Sequence, residues 1–246
     1  MNKPEFKLQN KIAKITLHAE DRKNAIDRKD LDLMMNFLKK IENEKVKCLI
    51  LSGKGDVFSS GMYLEELNKG DWSKNPISEV CDLIEKLPFI TICFLNGGIY
   101  GGSVELALSC DFRIGFNKVK IKIPATKFGI HYGVKGIKRC LDIFGLQLSR
   151  KILFLGHPLA FKDLVDVGFL DYYAEDFDAS HAILNKIIGE ISLLSLEVLR
   201  DMKATLNDLR YNKIDDDKEK TRFIRGFKNG IVATRLKDYK KFRKGR

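Results

Sequence analysis

Along the first half of the chain, short apolar runs alternate with helical stripes. Phe6-Lys7-Leu8 and Ile12-Ala13-Lys14-Ile15-Thr16-Leu17 show the partial alternation and β-branched enrichment of two strands joined by a turn. Asp21–Asn24 reads as a loop. From Asp27 to Asn43, Met34, Met35, Leu38 and Ile41 follow Leu31 at offsets of 3, 4, 7 and 10, which predicts an amphipathic helix. Asp27 is its candidate N-cap, with Asp30 in the first turn. Val46–Ser52 is a buried strand running into Gly53-Lys54-Gly55. Pro76–Leu87 is a second helix, opened by Pro76 and closed before Pro88. Phe89–Leu95 is another buried strand, Gly101–Cys110 reads as helix, and Phe112-Arg113-Ile114 returns to strand. This order predicts an α/β fold with short crossovers. After about residue 145 strand signals fade, and Ser149–Leu155, Ala160–Val167, Ser180–Ala204 and Lys218–Thr234 read as helices. The expected division is an α/β core over residues 1–180 and a helical region over 181–246.

Composition narrows the class. The 246 residues are 44% hydrophobic and 31% charged, as in a soluble globular protein. No apolar run is long enough to span a bilayer, and Met1-Asn2-Lys3-Pro4-Glu5 lacks an apolar signal region. A cytoplasmic protein is expected. The five cysteines form no CxxC pair and lie mostly in apolar runs, so they read as buried thiols. The four histidines are scattered, so no metal site is expected. The formal charge of +11 favours an anionic partner, either a phosphate-bearing small molecule or nucleic acid. Part of the excess lies in the last ten residues, which read as a solvated tail.

Candidate chemistry gathers in two glycine-containing loops that follow buried strands. One is Phe58-Ser59-Ser60-Gly61-Met62-Tyr63-Leu64; the other is Asn96-Gly97-Gly98-Ile99-Tyr100-Gly101-Gly102-Ser103-Val104-Glu105-Leu106. Each places a backbone N–H at a turn where a helix can begin, and two such donors aimed at one oxygen make an oxyanion hole. Either loop alone is equally an ordinary structural turn. Glu105 alone is equally a first-turn glutamate that complements the helix dipole.

Together the two loops resemble the crotonase, or enoyl-CoA hydratase/isomerase, family. Phe128-Gly129-Ile130 after Pro124, and Gly156–Ala160 leading to Val167-Gly168-Phe169-Leu170, extend the resemblance from about Ala13 to the C-terminus. It implies a spiral core of repeated β-β-α units with a helical C-terminal layer. It implies an acyl-coenzyme A or acyl-carrier thioester as substrate, with coenzyme A as part of that substrate rather than a prosthetic group. It also implies a homotrimer or dimer of trimers, with the helical segment from Lys218 onward at the interface. The oxyanion donors would be the N–H groups of Met62 and Gly102, with Gly102 a glycine so that the thioester oxygen can approach. Lys23, Asn24, Ala25 and Ile26 match the loop that cradles the coenzyme A adenine and phosphates. Met62, Tyr63 and Leu64 would line the groove's other side, Tyr63 replacing the family's usual aspartate. Lys237 and Phe242 fall where family members reach a neighbouring subunit's ligand.

Glu105 matches the first of two catalytic glutamates of hydratases, while the second falls at Ala125. Hydration needs one group to activate water and another to protonate the α-carbon. Decarboxylation of a malonyl-type thioester needs no base, because loss of carbon dioxide makes the enolate. From Gly129 onward the segment resembles the methylmalonyl-CoA decarboxylases of this family, with Tyr132 at the position of a tyrosine near the substrate carboxylate. Ser103 and His131 are further polar candidates. The expected reaction is this decarboxylation, with enoyl-CoA isomerisation or hydration as alternatives. A different class, an RNA-binding or scaffold protein on a catalytically lapsed fold, is motivated by the +11 charge and the missing carboxylate, but the chain has no recognised nucleic-acid motif.

Overall fold

The computed structural model describes residues 3–67, 72–228, 230 and 232–237. The chain divides into two compact units, Met1–Ser192 and Leu193–Arg246.

The first unit opens with an antiparallel pair, β1 (Glu5–Gln9) and β2 (Ile12–Leu17). Helix α1 (Arg28–Glu42) follows, and its expected N-cap forms a capping box: Asp27 Oδ1 accepts from Asp30 N–H at 2.8 Å, and Asp30 Oδ2 accepts from Asp27 N–H at 3.1 Å. Three repeats come next. The first is β3 (Cys48–Gly53), β4 (Val57–Ser59), the short helix α2 (Leu64–Leu67) and α3 (Pro76–Lys86). The second is β5 (Ile90–Phe94), β6 (Gly98–Tyr100) and α4 (Ser103–Ser109). The third is β7 (Phe112–Phe116), β8 (Ile121–Lys122), a 3₁₀ turn at Ala125–Phe128 and α5 (Val134–Leu155). Then come α6 (Phe161–Asp166), β9 (Tyr172–Ala174) and α7 (Phe177–Ser192).

The first strand of each repeat joins a six-stranded sheet of order β1-β2-β3-β5-β7-β9, parallel from β2 onward; the second joins a small sheet of order β4-β6-β8. The result is the spiral of β-β-α units that the resemblance implies. β3 and β5 read as continuous apolar runs because both faces of a parallel sheet are covered. On α1 and α3, which contact each other, Leu31, Met34, Leu38 and Ile41 of the predicted α1 stripe, and Ile77, Val80 and Ile84, are buried in one core, while Met35 of that stripe is only partly buried against it.

Several expectations are corrected. β4, β6 and β8 are only two or three residues long and leave no periodic trace. β9 lies beyond residue 145, where strand signal fades. α5 begins at Val134 rather than Ser149 and breaks at Gly145 (φ 64°, ψ 174°), because glycines at 136 and 145 interrupt its apolar stripe. The single helix expected over Ser180–Ala204 is two, α7 and α8 (Leu196–Arg210), with the chain turning at 193–195. The boundary expected at 180 therefore falls inside α7, and the first unit extends to Ser192.

In the second unit α8 faces α9 (Asp216–Lys228), tied by Arg222–Asp208 at 2.8 Å and Arg225–Asp201 at 2.9 Å. Residues 232–237 are helical, and Arg235 donates to the carbonyls of Leu193 and Leu194 at 3.0 Å each. No described helix is long and apolar enough to cross a membrane. All five cysteines are buried and none is in a disulfide.

Candidate active site

β4 and β6 are parallel neighbours, so their C-terminal ends deliver the two glycine loops side by side. Gly61 sits at φ 90°, and a Cβ built there would lie 2.7 Å from Tyr100 O and 3.3 Å from Gly102 N. Only glycine lets the loops approach this closely without strain. Ser103 staples them. Its fully buried hydroxyl lies 3.0 Å from Ser59 O and 2.7 Å from Tyr100 O, sharing its one proton between these carbonyls, and accepts from Tyr100 N–H at 3.1 Å. Ser103 is thus structural.

Ser59 extends the staple to a third loop: its hydroxyl donates to Asn24 O at 2.7 Å and accepts from Gly61 N–H at 3.1 Å. Ile26 N–H donates to Gly61 O at 2.8 Å and Tyr63 N–H to Ile26 O at 2.9 Å, a parallel bridge between Ile26 and Met62. In such a bridge Met62's own peptide groups point away from Ile26. Among the described residues, neither Met62 N–H nor Gly102 N–H donates to a protein acceptor. Gly102 has an ordinary φ of −64°, and a Cβ there would lie 2.2 Å from Ile77 Cδ1, so the crowding visible at Gly102 is that of a side chain in the core.

The four residues 23–26 differ in what they can present. Lys23, at φ 53°, is exposed. Asn24 is 2% exposed, and its amide is committed to the backbone: Oδ1 accepts from Ala19 N–H at 2.8 Å, and Nδ2 donates to Lys54 O at 2.8 Å and Val57 O at 2.7 Å. Its side chain therefore shapes the loop rather than facing a ligand. Ala25 and Ile26 are buried. Tyr63 lies under the Arg22 guanidinium, 5.2 Å from its ring centroid, and its hydroxyl donates to Glu65 at 3.1 Å; Leu64 is exposed. Lys237 is exposed on the second unit, and Phe242 lies outside the described residues.

Glu105, 1% exposed in α4, does not stand alone. Its Oε1 accepts from Ser78 Oγ at 2.8 Å and from Arg139 Nη1 at 2.5 Å. Arg139, fully buried on α5, also grips Glu85 through two bonds at 2.9 and 2.8 Å and Asp82 at 2.8 Å. Asp82 in turn pairs with Lys135. Six hydrogen-bonded groups on α3, α4 and α5 thus form one network around the Arg139 guanidinium. Burial pushes the Glu105 carboxyl above its usual range, against the lowering pull of Ser78 and Arg139. Its Oε2 faces Gly136, where a Cβ would come within 2.8 Å both of that oxygen and of Tyr132 Cε1. Gly136 therefore opens the space between the carboxylate and the phenol.

Tyr132 is half-buried and packs against the core, and its hydroxyl lies 3.4 Å from Gly101 O, beyond the usual O–H···O range. Burial raises its pKa well above the ordinary phenol value, so it is a neutral donor. Ala125 is buried in the 3₁₀ turn and His131 is exposed.

The sequence reading singled out Glu105 but missed the charges around it. The signal was present: Ser78, Asp82 and Glu85 stand at offsets of 4 and 7 on α3, one helical stripe of polar residues turned inward.

A family model described as enoyl-CoA hydratase/isomerase matches residues 7–217. An enoyl-CoA isomerase/hydratase of Mycosarcoma maydis is 31% identical over 175 residues, 65% of this chain and 64% of that protein. The chain thus spans a little under two thirds of that relative's length. A methylmalonyl-CoA decarboxylase of Escherichia coli is 23% identical over 215 residues, 84% of this chain and 82% of that one. Among solved structures, a putative enoyl-CoA hydratase/isomerase family protein of Hyphomonas neptunium superposes with a TM-score of 0.88 at 22% identity, covering 99% of this chain and 95% of the other. That likeness shows the fold. The family match across most of the chain, on the β-β-α spiral with its paired loops, shows that the chain belongs to the enoyl-CoA hydratase/isomerase family.

Proposed function

We propose that this protein decarboxylates a malonyl-type acyl thioester carried by coenzyme A or an acyl-carrier protein. The observation that carries the reading is Tyr132: its hydroxyl lies 3.4 Å from Gly101 O beside the Gly101–Gly102 turn, and its ring shares the Gly136 opening with Glu105. Ala125 stands where hydratases of the resembled family carry their second glutamate, so one carboxylate remains. The 23% identity to a decarboxylase over 84% of the chain supports the same choice.

In this mechanism the N–H groups of Met62 and Gly102 hold the thioester oxygen. Tyr132 donates to the substrate carboxylate and turns it out of the thioester plane, so that the breaking carbon–carbon bond overlaps the carbonyl π system. The bond breaks, carbon dioxide leaves, and the electron pair passes through the α-carbon onto the oxygen, giving an enolate held by the two donors. The α-carbon then takes a proton from the protonated form of Glu105, which burial favours, and the enolate collapses to the shortened thioester. Lys23, the Ala25–Ile26 backbone, Tyr63 and Leu64 line the carrier's groove, and a trimeric assembly brings Lys237 to a neighbour's ligand.

Tyr132→Phe tests the reading. It should lower kcat for methylmalonyl-CoA by about 10- to 100-fold, as expected for a positioning hydrogen bond, while acetyl-CoA binding by calorimetry changes little. Equal kcat for the two proteins would remove Tyr132 from the mechanism. No saturable binding of coenzyme A or acetyl-CoA at millimolar concentration would remove the thioester reading altogether.

A further inference from the structure

We propose that Glu85 and Asp82 are positioning residues for Glu105: by occupying Arg139 they leave Glu105 beside a guanidinium whose charge is already compensated, and so let it hold and release a proton. This rests on Glu105 being the proton-handling carboxylate of the reaction above.

The geometry is that of a shared cation. Arg139 makes four bonds to carboxylates, two to Glu85, one to Asp82 and one to Glu105. Glu85 takes the planar bidentate face, the stronger arrangement for a guanidinium and a carboxylate. Glu105 receives a single Nη1–H on Oε1, and Oε2 stays turned towards Gly136. A buried carboxylate facing an uncompensated arginine would stay ionised through the neutral range and could not deliver a proton. Two acidic groups on α3 prevent that here. Lys135 pairs with Asp82 on the solvent side, while Glu85 acts on Glu105 through its bidentate hold on Arg139.

From α3 Glu105 is faced by Ser78, Cys81 and Asp82, and Glu85 reaches it through Arg139. From α5 it is faced by Arg139 and Cys140, and from the loop before α5 by Tyr132. The two thiols and the phenol have pKa values raised by burial, Cys140 to about 12, so they stay neutral while Glu105 titrates. The charges that set its protonation are therefore those of Arg139, Glu85 and Asp82. α3 lies outside the two glycine loops, yet it supplies both compensating carboxylates.

The test reads the proton directly. Protein labelled with ¹³Cδ-glutamate is titrated by NMR, and the Glu105 resonance is assigned by its loss in Glu105→Gln. In wild type its midpoint should lie above the ordinary glutamate range. In Glu85→Gln it should fall by about one to two pH units, the effect of one charge acting across a partly buried site. Asp82→Asn, at a partly exposed position that tolerates the change more easily, should lower it as well. The alkaline limb of the pH–rate profile for methylmalonyl-CoA, where the rate falls as Glu105 loses its proton, should move in step. If Glu85→Gln fails to fold, Asp82→Asn decides. An unchanged or raised midpoint in the folded variants overturns the proposal. The titration needs no turnover, so a protein that fails to decarboxylate its thioester would sink the functional reading while leaving this result standing.

Discussion

Gly102→Pro combined with Ile77→Val should lower kcat for the thioester substrate by about 10²- to 10³-fold, the usual effect of losing one oxyanion donor. A side-chain deletion cannot remove a backbone N–H, whereas proline has none. Gly102 already has φ −64°, inside proline's narrow range, so the backbone conformation is available. The obstacle is Ile77 Cδ1, 2.2 Å from where a Cβ would sit; Ile77→Val deletes that methyl, and the next atom, Cγ1, is at 3.6 Å. Ile77→Val alone should cost about 1 kcal/mol of stability and leave kcat within a few-fold. Acetyl-CoA binding by calorimetry should survive in the double variant, because the donor is needed most when the oxygen bears a full charge. A folded double variant with unaltered kcat would rule out the Gly102 N–H as a donor.

The second large effect falls on stability. Arg139→Met should destabilise the protein by about 3–5 kcal/mol, the range for removing one partner of a buried ion pair. For a chain of this size that corresponds to a drop in Tm of roughly 10 °C. Arg139 is fully buried and bonded to Glu85, Asp82 and Glu105. The variant strands these carboxylates, and their folded-state pKa values rise above the unfolded ones. Groups raised in this way bind protons more tightly when folded, so the deficit is small below the unfolded carboxylate pKa and grows as pH rises through the folded one. The gap in Tm between wild type and variant should therefore narrow from pH 7 to pH 5. An equal gap at both values, measured by calorimetry, would assign the loss to packing instead.

How much of this was legible beforehand follows from length and spacing. The α1 stripe, the Asp27 cap and the buried strands β3 and β5 were readable, because each repeats over enough residues to set a period. The small sheet was not: β8 has two residues, and its register comes from β6 rather than from its own pattern. The two loops were recognisable as motifs, yet their mutual approach depends on β4 pairing with β6 and on Ser103 reaching Ser59 across 44 residues. Glu105 was readable as a residue but not as a charge state, since Arg139 lies 34 positions away. Asn24 was read as a ligand contact because its neighbours match a binding loop; only the fold reveals that its amide is used up on Ala19, Lys54 and Val57.

The central claim is that this family member makes its enolate by losing carbon dioxide rather than by adding water or moving a double bond. One mass-spectrometric assay addresses it: methylmalonyl-CoA, crotonyl-CoA and a 3-enoyl-CoA offered side by side at equal concentration, with products followed over time. The account predicts propionyl-CoA from methylmalonyl-CoA, with crotonyl-CoA and the 3-enoyl-CoA turned over at least about 100-fold more slowly, since Ala125 cannot supply the second acid–base group that hydration needs. Hydration of crotonyl-CoA at an ordinary enzymic rate, on the order of 1–10³ s⁻¹, with methylmalonyl-CoA untouched, would contradict it.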